Sequence, residues 1–140
     1  MPSNAFIRAG SRMHRLMYGR FGGRLGTRIG PHPVLILTTR GRRSGKEHHV
    51  PLSYLDTPAG PVVIGSFAGG PRDPAWAFNL RARPEGEIRV GNEVRSIRAV
   101  ELHGAAREAM AQRFEEIDSR YRVYRRRTDR TLPVFRLETA

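Results

Sequence analysis

The chain has 140 residues and a formal charge of +12, with 24 arginines, one lysine and no cysteine. Its length suits one domain with a single core, and the lack of cysteine excludes disulfides, thiolate catalysis and cysteine-ligated metal centres. No run of ~18 apolar residues and no signal-peptide pattern is present, so a cytoplasmic protein is expected.

The N-terminal segment, residues 1–30, contains six arginines, no acidic residue and a run of glycines. Apolar residues near helical spacing predict a basic amphipathic helix over residues 4–18, followed by a glycine-rich linker. Its apolar stripe either packs on the domain or on a partner subunit of a homodimer, or lies on an anionic membrane surface at the inner face of the cell membrane. The sequence leaves both open, and we divide the chain into residues 1–30 and a domain over residues 31–140.

Three hairpins are predicted in that domain. Residues 34–39 are apolar and β-branched, and the cationic turn 41–46 joins them to a strand over 49–55. A second hairpin through residues 57–60 leads to a strand over 61–66. Strands over 87–90 and 93–102 flank Gly91-Asn92, which marks the third hairpin.

Two helices and a last strand complete the predicted fold. Asp73 is expected to cap a helix that has Pro74 at its first position and stops before Pro84. Residues 104–118 form an amphipathic helix expected to cover a barrel end, and 132–137 form the final strand. Five or six short strands with two interior helices indicate an antiparallel barrel of the α+β class. The stripe of the second helix is Ala106, Met110, Phe114 and Ile117.

The tip of the first hairpin is a candidate anion site. Gly41 and Gly45 allow successive N–H groups to point into one concavity, and Arg42, Arg43 and Lys46 add positive charge around it. A solvated β-turn is the alternative. The loop of small residues from Ser66 to Gly70 leads to a second helix start, whose N–H groups suit an anion or a ring carbonyl.

Aromatic residues are the remaining candidates for ligand contact. Trp76 offers a broad apolar face, although a single tryptophan in a small domain is usually part of the core. Residues 121–130 interleave tyrosine with arginine, which suits a flat ligand, stacked nucleic-acid bases or a solvated helix end. His48 and His49 point to opposite strand faces, the acids at 115, 116 and 118 look like an exposed helix face, and no metal site or catalytic triad is assembled.

Taken in order, these segments resemble the deazaflavin-dependent nitroreductase family. The segments are residues 37–45, Pro51-Leu52, Ser66 with Gly69-Gly70, Pro74-x-Trp76-x-x-Asn79-Leu80, and Tyr121-x-x-Tyr124 with residues 127–133. The resemblance implies a split β-barrel related to FMN-binding proteins and use of the coenzyme F420. It also implies hydride transfer to quinones, nitro-aromatic compounds or similar conjugated acceptors, small molecules that would be this chain's partners.

The resemblance also implies roles for individual residues. Arg42, Arg43, Ser44 and Gly45 would bind the coenzyme phosphate, with Lys46 and His48 beside it or at the polyglutamate tail. Pro51, Ser53, Ser66, Phe67, Ala68, Gly69, Gly70, Ala75 and Trp76 would line the ring site. Tyr121 and Tyr124 would roof the acceptor pocket, and Ser53, Tyr121 and Tyr124 are the catalytic candidates.

Two other functions remain open from the sequence. One is an F420-binding or FMN-binding protein of the same fold without turnover. The other is a nucleic-acid-binding protein, which only the charge and the tyrosine-arginine segment suggest, so no nucleic acid is expected as a partner.

Overall fold

The computed structural model describes residues 28–29, 32–66, 71–128 and 130–140. The helix predicted over residues 4–18 and most of the glycine-rich linker lie outside the described residues. So do Phe67, Ala68, Gly69 and Gly70, which were expected to contribute to coenzyme binding.

The described part of the chain contains seven antiparallel strands and three helices. The strands are β1 (Arg28–Ile29), β2 (His32–Arg40), β3 (Glu47–Ser53), β4 (Val62–Ile64), β5 (Glu85–Val90), β6 (Glu93–Leu102) and β7 (Val134–Thr139). The helices are α1 (Ala75–Ala82), α2 (Gly104–Ile117) and α3 (Arg120–Arg126). The predicted α+β class with antiparallel strands is confirmed.

Six strands form an open half-barrel in the order β3-β2-β5-β6-β7-β4, and β1 pairs with the start of β2. The chain just after β3 meets β4 at one bridge, between Leu55 and Val62. Pro51 of β3 faces Ile36 of β2, at a position where an antiparallel ladder turns the backbone N–H away from β2, so the missing N–H costs no ladder bond. Because only this bridge joins the two end strands of the described sheet, the barrel is split between β3 and β4.

The first and third predicted hairpins are confirmed, with Arg40 opposite Glu47 and Val90 opposite Glu93. The second is right at its turn, where Leu55 and Val62 exchange two backbone hydrogen bonds across residues 57–60. It does not extend further, because β4 pairs along its length with β7. Both faces of β4 are buried. A strand buried on both faces gains most beside another apolar strand, and β7 provides that neighbour.

Two apolar clusters lie on opposite faces of β4 and β7. The cluster inside the barrel joins side chains of β2, β5, β6 and β7 to Trp76, Ala77 and Leu80 of α1. The other cluster contains Val62 and Phe114 and lies under α2. Helix α1 therefore closes the barrel interior, and α2 covers the outer face of β4 and β7.

The predicted cap of α1 is wrong. Pro74, rather than Asp73, occupies the N-cap position, and no side chain caps the helix. The Asp73 carboxylate instead pairs with Arg81 at 2.9 Å and with Arg130 at 2.7 Å. Two guanidinium groups bind this carboxylate in place of the helix amides, because each brings a full positive charge as well as N–H donors.

Helix α2 buries a narrower face than predicted. Ala111 and Phe114 are buried, whereas Ala106 is exposed and Ile117 is 46% exposed. The predicted stripe is therefore only partly right, since both ends of the helix extend past the cluster it covers. Asp118 is also buried, pairs with Arg120 and has a pKa held below its usual value by that hydrogen bond.

Helix α3 was not predicted as a separate helix. Arg125 ties it to α2 through ion pairs with Glu115 at 2.7 Å and Glu108 at 3.1 Å. None of the helices in the described residues is long and apolar enough to cross a membrane.

A polar row lies on the face of β2, β3 and β5 that points away from the barrel core. Thr38 Oγ1 and His49 Nδ1 are 2.8 Å apart, and Glu87 lies opposite Thr38 on β5. Glu87 is 2% exposed, and its Oε2 has no hydrogen-bond partner among the described residues. Burial raises the pKa of Glu87 to about 7, an effect that Arg89 opposes and Glu47 reinforces. Burial, together with His48, lowers the pKa of His49.

We expect Glu87→Gln to remove part of the pH dependence of stability. A carboxyl with a pKa of 4.5 in the unfolded chain and about 7 in the folded chain destabilises the fold as it ionises. The parent's free energy of unfolding should therefore fall by about 3 kcal/mol as the pH rises through this window. Urea unfolding at several pH values should show a smaller fall for Glu87→Gln.

The matched control is Glu85→Gln on the same strand, where the side chain is 65% exposed. This variant should keep the pH dependence of the parent. If Glu87→Gln and the parent lost stability in parallel across the window, Glu87 would not be the titrating group.

Candidate functional site

A cleft of about 530 Å³ lies at the split of the half-barrel. One wall is β3, the other is formed by residues 64–66 at the end of β4 and by the start of α1, and Tyr121 of α3 closes one side. The volume falls within the range of roughly 300–1,000 Å³ that small-molecule sites occupy. The opening between β3 and β4 thus creates room for a ligand without breaking the apolar core.

The start of α1 forms the floor of this cleft, through Pro74, Ala75 and Trp76. The first turn carries no acidic residue, and within the described residues the amides of Ala75 and Trp76 donate no hydrogen bond. These two amides and the positive end of the helix dipole suit an anionic or carbonyl group. Trp76 is 7% exposed and packs edge-on against Phe135, with ring centroids 5.7 Å apart. Trp76 therefore belongs to the core and also presents a small surface to the cleft.

The tip of the β2–β3 hairpin adjoins the cleft and is tightly folded. The Gly41 amide donates to the Lys46 carbonyl at 2.8 Å, and the Gly45 amide donates to the Gly41 carbonyl at 2.9 Å. Gly45 has φ of 71°, and a Cβ on Gly41 would lie 2.7 Å from Ser44 Oγ and 2.9 Å from His48 Nε2. Gly45 therefore requires glycine for its backbone angle, whereas a side chain at Gly41 would displace the ends of the Ser44 and His48 side chains.

Asn79 of α1 joins the tip to the floor of the cleft. Its Oδ1 accepts from the Arg42 amide at 3.1 Å, and its Nδ2 donates to Thr39 Oγ1 at 3.2 Å. With four other amides of the turn engaged, those of Arg43 and Ser44 donate no hydrogen bond within the described residues. Of the amides at the predicted anion site, those of Arg43 and Ser44 therefore stay open to a ligand within the described residues, fewer than the sequence suggested.

The tip also carries the cationic side chains of Arg42, Arg43 and Lys46. The Arg42 guanidinium lies 4.8 Å from the centre of the Phe78 ring, a cation–π contact that holds it over α1. Arg43 and Lys46 are exposed. The tip therefore presents both open N–H donors and exposed positive charge.

Two further cations at the tip were not predicted. Arg40 Nη1 donates to the Gly45 carbonyl at 3.1 Å, and the Arg83 guanidinium, just after α1, also lies near Gly45. Arg83 is distant in sequence, so only the packing of α1 against the hairpin brings it to the tip.

Ser53 and Tyr121 face each other across the closed side of the cleft. Burial raises the pKa of the Tyr121 hydroxyl, and a hydrogen bond with Ser53 acts against this rise. The Tyr121 ring also packs on Phe114 at 5.0 Å and on Tyr124 at 5.6 Å. Tyr121 is thus a protonated phenol held at the cleft, a group able to donate a proton.

Most predicted site residues in the described part of the chain come together. Seven of them line the cleft: His48, Pro51, Ser53, Ser66, Ala75, Trp76 and Tyr121. Five form the adjoining tip: Arg42, Arg43, Ser44, Gly45 and Lys46. Tyr124 packs against Tyr121 without lining the cleft.

Several cleft residues were not assigned a role from the sequence. Among them, Thr39, His49 and Asn79 carry polar groups. Asn79 gave a usable signal, because a polar amide between Phe78 and Leu80 in an apolar helix must find buried partners. The others gave none, and no three side chains among the described histidines and acids are grouped as a metal site.

Comparisons with known proteins agree with this geometry. The sequence model of the F420H(2)-dependent quinone reductase family matches residues 10–139. An F420H(2)-dependent quinone reductase of Mycobacterium tuberculosis strain H37Rv is 34% identical over 127 residues, which covers 88% of this chain and 85% of that protein.

Two solved structures are similar as well. A reductase described as F420-H2 dependent has a TM-score of 0.69 and 34% identity over 76% of this chain and 94% of its own. A protein described as a domain-swapped dimer has a TM-score of 0.70 and 30% identity over 92% of this chain and 99% of its own.

Proposed function

This chain belongs to the F420H(2)-dependent quinone reductase family, and from that premise we propose that the cleft holds the coenzyme ring beside the acceptor. The activity is the transfer of hydride from reduced F420 to a quinone. When bound, the reduced coenzyme supplies the hydride, so the protein's tasks are alignment, exclusion of water and handling of a proton.

The observation that carries this proposal is the contact between two different kinds of surface. Asn79 joins an amide-rich, cationic hairpin tip to a cleft floored by Trp76 and the start of α1. F420 has a phosphate, an acidic tail and a flat ring system, and it needs neighbouring sites of these two kinds. The amides of Arg43 and Ser44, with the tip cations around them, suit the phosphate.

We assign the coenzyme ring to the space in the cleft between Pro51 and Trp76. Both residues line the cleft on opposite sides, with Ser66 and Ala75 beside Trp76. The free amides at the start of α1 suit a ring carbonyl. Lys46, His48 and Arg83 lie where they could meet the acidic tail, because all three are near the tip.

We assign the acceptor to the side closed by Tyr121. Hydride transfer to a quinone leaves an oxygen that requires a proton to complete the hydroquinone. Tyr121 holds its proton at neutral pH as phenols ordinarily do, and burial raises its pKa further while the nearby Ser53 acts against this rise. Tyr124 supports the Tyr121 ring from behind.

Three finer properties follow as proposals. Nitro-aromatic compounds would accept hydride at the same position as quinones. A homodimer is supported by the relative described as a domain-swapped dimer. Contact with an anionic membrane surface through residues 4–18 stays a prediction from the sequence.

Titration of the protein with F420 and, separately, with FMN tests the proposed function. We expect F420 binding, weak or undetectable FMN binding, and oxidation of reduced F420 when menadione is added under anaerobic conditions. Tight FMN binding without F420 binding would overturn the proposal. Menaquinone, a nitroimidazole and biliverdin, assayed in parallel, would then rank the acceptors.

A further inference from the structure

Arg130 binds both ends of the connection between β4 and α1. Its Nη1 donates to the Gly65 carbonyl at 3.0 Å and to Asp73 Oδ1 at 2.7 Å, and its Nη2 donates to the Ser66 carbonyl at 2.6 Å. The side chain is 13% exposed. A single guanidinium therefore spans the chain leaving β4 and the chain entering α1.

The groups that Arg130 binds belong to the wall of the cleft. Gly65 and Ser66 line it directly, and Asp73 precedes Pro74 and Ala75, which also line it. Arg130 itself makes no part of the lining. Any displacement of its guanidinium would move the wall on which the coenzyme ring is proposed to lie.

Arg130 is itself held in place. The Gly65 amide donates to the Pro133 carbonyl at 2.8 Å, which fixes the chain after Arg130 to the end of β4. Asp73 also binds Arg81 at 2.9 Å, and Arg81 binds Glu101 of β6 at 2.8 Å. The cleft wall is thereby linked through α1 to the centre of the half-barrel.

We propose that Arg130 is a positioning residue of the hydride-transfer reaction. It fixes the Gly65–Ser66 backbone and the start of α1 at the separation that aligned transfer requires. The role needs arginine, because its planar fork reaches two carbonyls and a carboxylate together, whereas the lysine ammonium is a compact point charge that does not match this geometry. This inference rests on the proposed function of the cleft.

The test compares Arg130→Lys with Arg136→Lys, which replaces an arginine paired with Glu138 on β7. We expect kcat of Arg130→Lys to fall about 10- to 100-fold, because small misplacements reduce rates by this order. The Kd for F420 should stay within about threefold of the parent, since the hairpin tip is untouched. Arg136→Lys should match the parent in both quantities.

Two further measurements separate positioning from loss of fold. Hydrogen exchange of the coenzyme-free protein should be faster in peptides spanning residues 64–76 of Arg130→Lys and unchanged in the hairpin 38–50. In Arg130→Ala, guanidinium at low, non-denaturing concentration should restore part of kcat, and methylammonium should not.

The outcomes are distinguishable. An inactive parent that does not bind F420 would overturn the proposed function and this inference with it. An active parent with unchanged kcat in Arg130→Lys would overturn this inference alone. So would a variant that loses activity together with global exchange protection and is not restored by guanidinium.

Discussion

The double variant Arg42→Ala/Arg43→Ala is expected to bind F420 roughly 100-fold more weakly than the parent, since each charge-assisted contact to a phosphate contributes about 1.5 kcal/mol or more. The fold should survive. The Arg42 contact with Asn79 uses the backbone amide, which alanine retains. Both side chains are exposed, so their removal leaves no buried group unpaired. Fluorescence titration with F420 measures the loss.

Salt dependence gives this prediction a second readout. Pairing between exposed cations and an anionic coenzyme is screened by salt, so the parent's affinity should fall as the ionic strength rises. The double variant should show a weaker dependence on salt. A general loss of positive charge would produce part of this effect, so the charge change must be matched elsewhere.

Arg95→Ala/Arg113→Ala is that control. It also removes two positive charges, one from β6 and one from α2, and neither residue lines the cleft. We expect its affinity for F420 to stay within about threefold of the parent, because long-range attraction is screened beyond the Debye length. Equal losses in the two double variants would show that net charge, rather than the tip, attracts the coenzyme.

The first hairpin was predictable because its determinants are local. An apolar run, two glycines and a cationic turn lie within about a dozen consecutive residues, and turn chemistry of that kind fixes a register without help from the rest of the chain. The coenzyme candidates at the tip were therefore found in advance. The sequence did not show which amides of the turn stay open, because the hydrogen bond from the Arg42 amide to Asn79 joins residues 37 positions apart.

The extended pairing of β4 beyond its turn and the role of Asp73 were predicted wrongly for the same reason. Local pattern favoured a hairpin through residues 57–60 and a cap before α1. Each outcome was decided by a segment near the C-terminus, β7 in one case and Arg130 in the other. A single sequence shows that a local hairpin and a local helix cap are possible. It does not show whether a strand or an arginine far along the chain binds the same groups more strongly.

Tyr121 illustrates what family resemblance added. From the spacing alone, three roles stayed open for Tyr121: part of a ligand pocket, a contact with nucleic-acid bases, or part of a solvated helix end. The structure places its ring against Phe114 and His32 and its edge at the cleft. That placement depends on helix α3. The sequence of α3 predicts it only weakly, because none of its residues is fully buried and the ion pair of Arg125 holds it on α2.

Trp76 links the core to the site, so Trp76→Ala is expected to reduce stability as well as coenzyme binding. Truncating a buried tryptophan costs about 3–5 kcal/mol, a large part of the roughly 5–15 kcal/mol that stabilises a domain. We expect the melting temperature to fall by on the order of 10 °C. Differential scanning calorimetry would measure this, and an unchanged melting temperature would show that the ring is not packed as described.

Binding and stability must be separated at this residue, because an unfolded fraction also reduces apparent affinity. Trp76→Phe keeps an aromatic ring beside Phe135 and should fold better than Trp76→Ala while still weakening F420 binding. Ile97→Ala removes a fully buried side chain of the same cluster, away from the cleft. It should lose about 2–5 kcal/mol of stability yet bind F420 like the parent below its melting temperature. If Ile97→Ala weakened F420 binding as much as Trp76→Phe, the loss of affinity would come from weakened core packing. Trp76 would then have no separate role in binding the coenzyme ring.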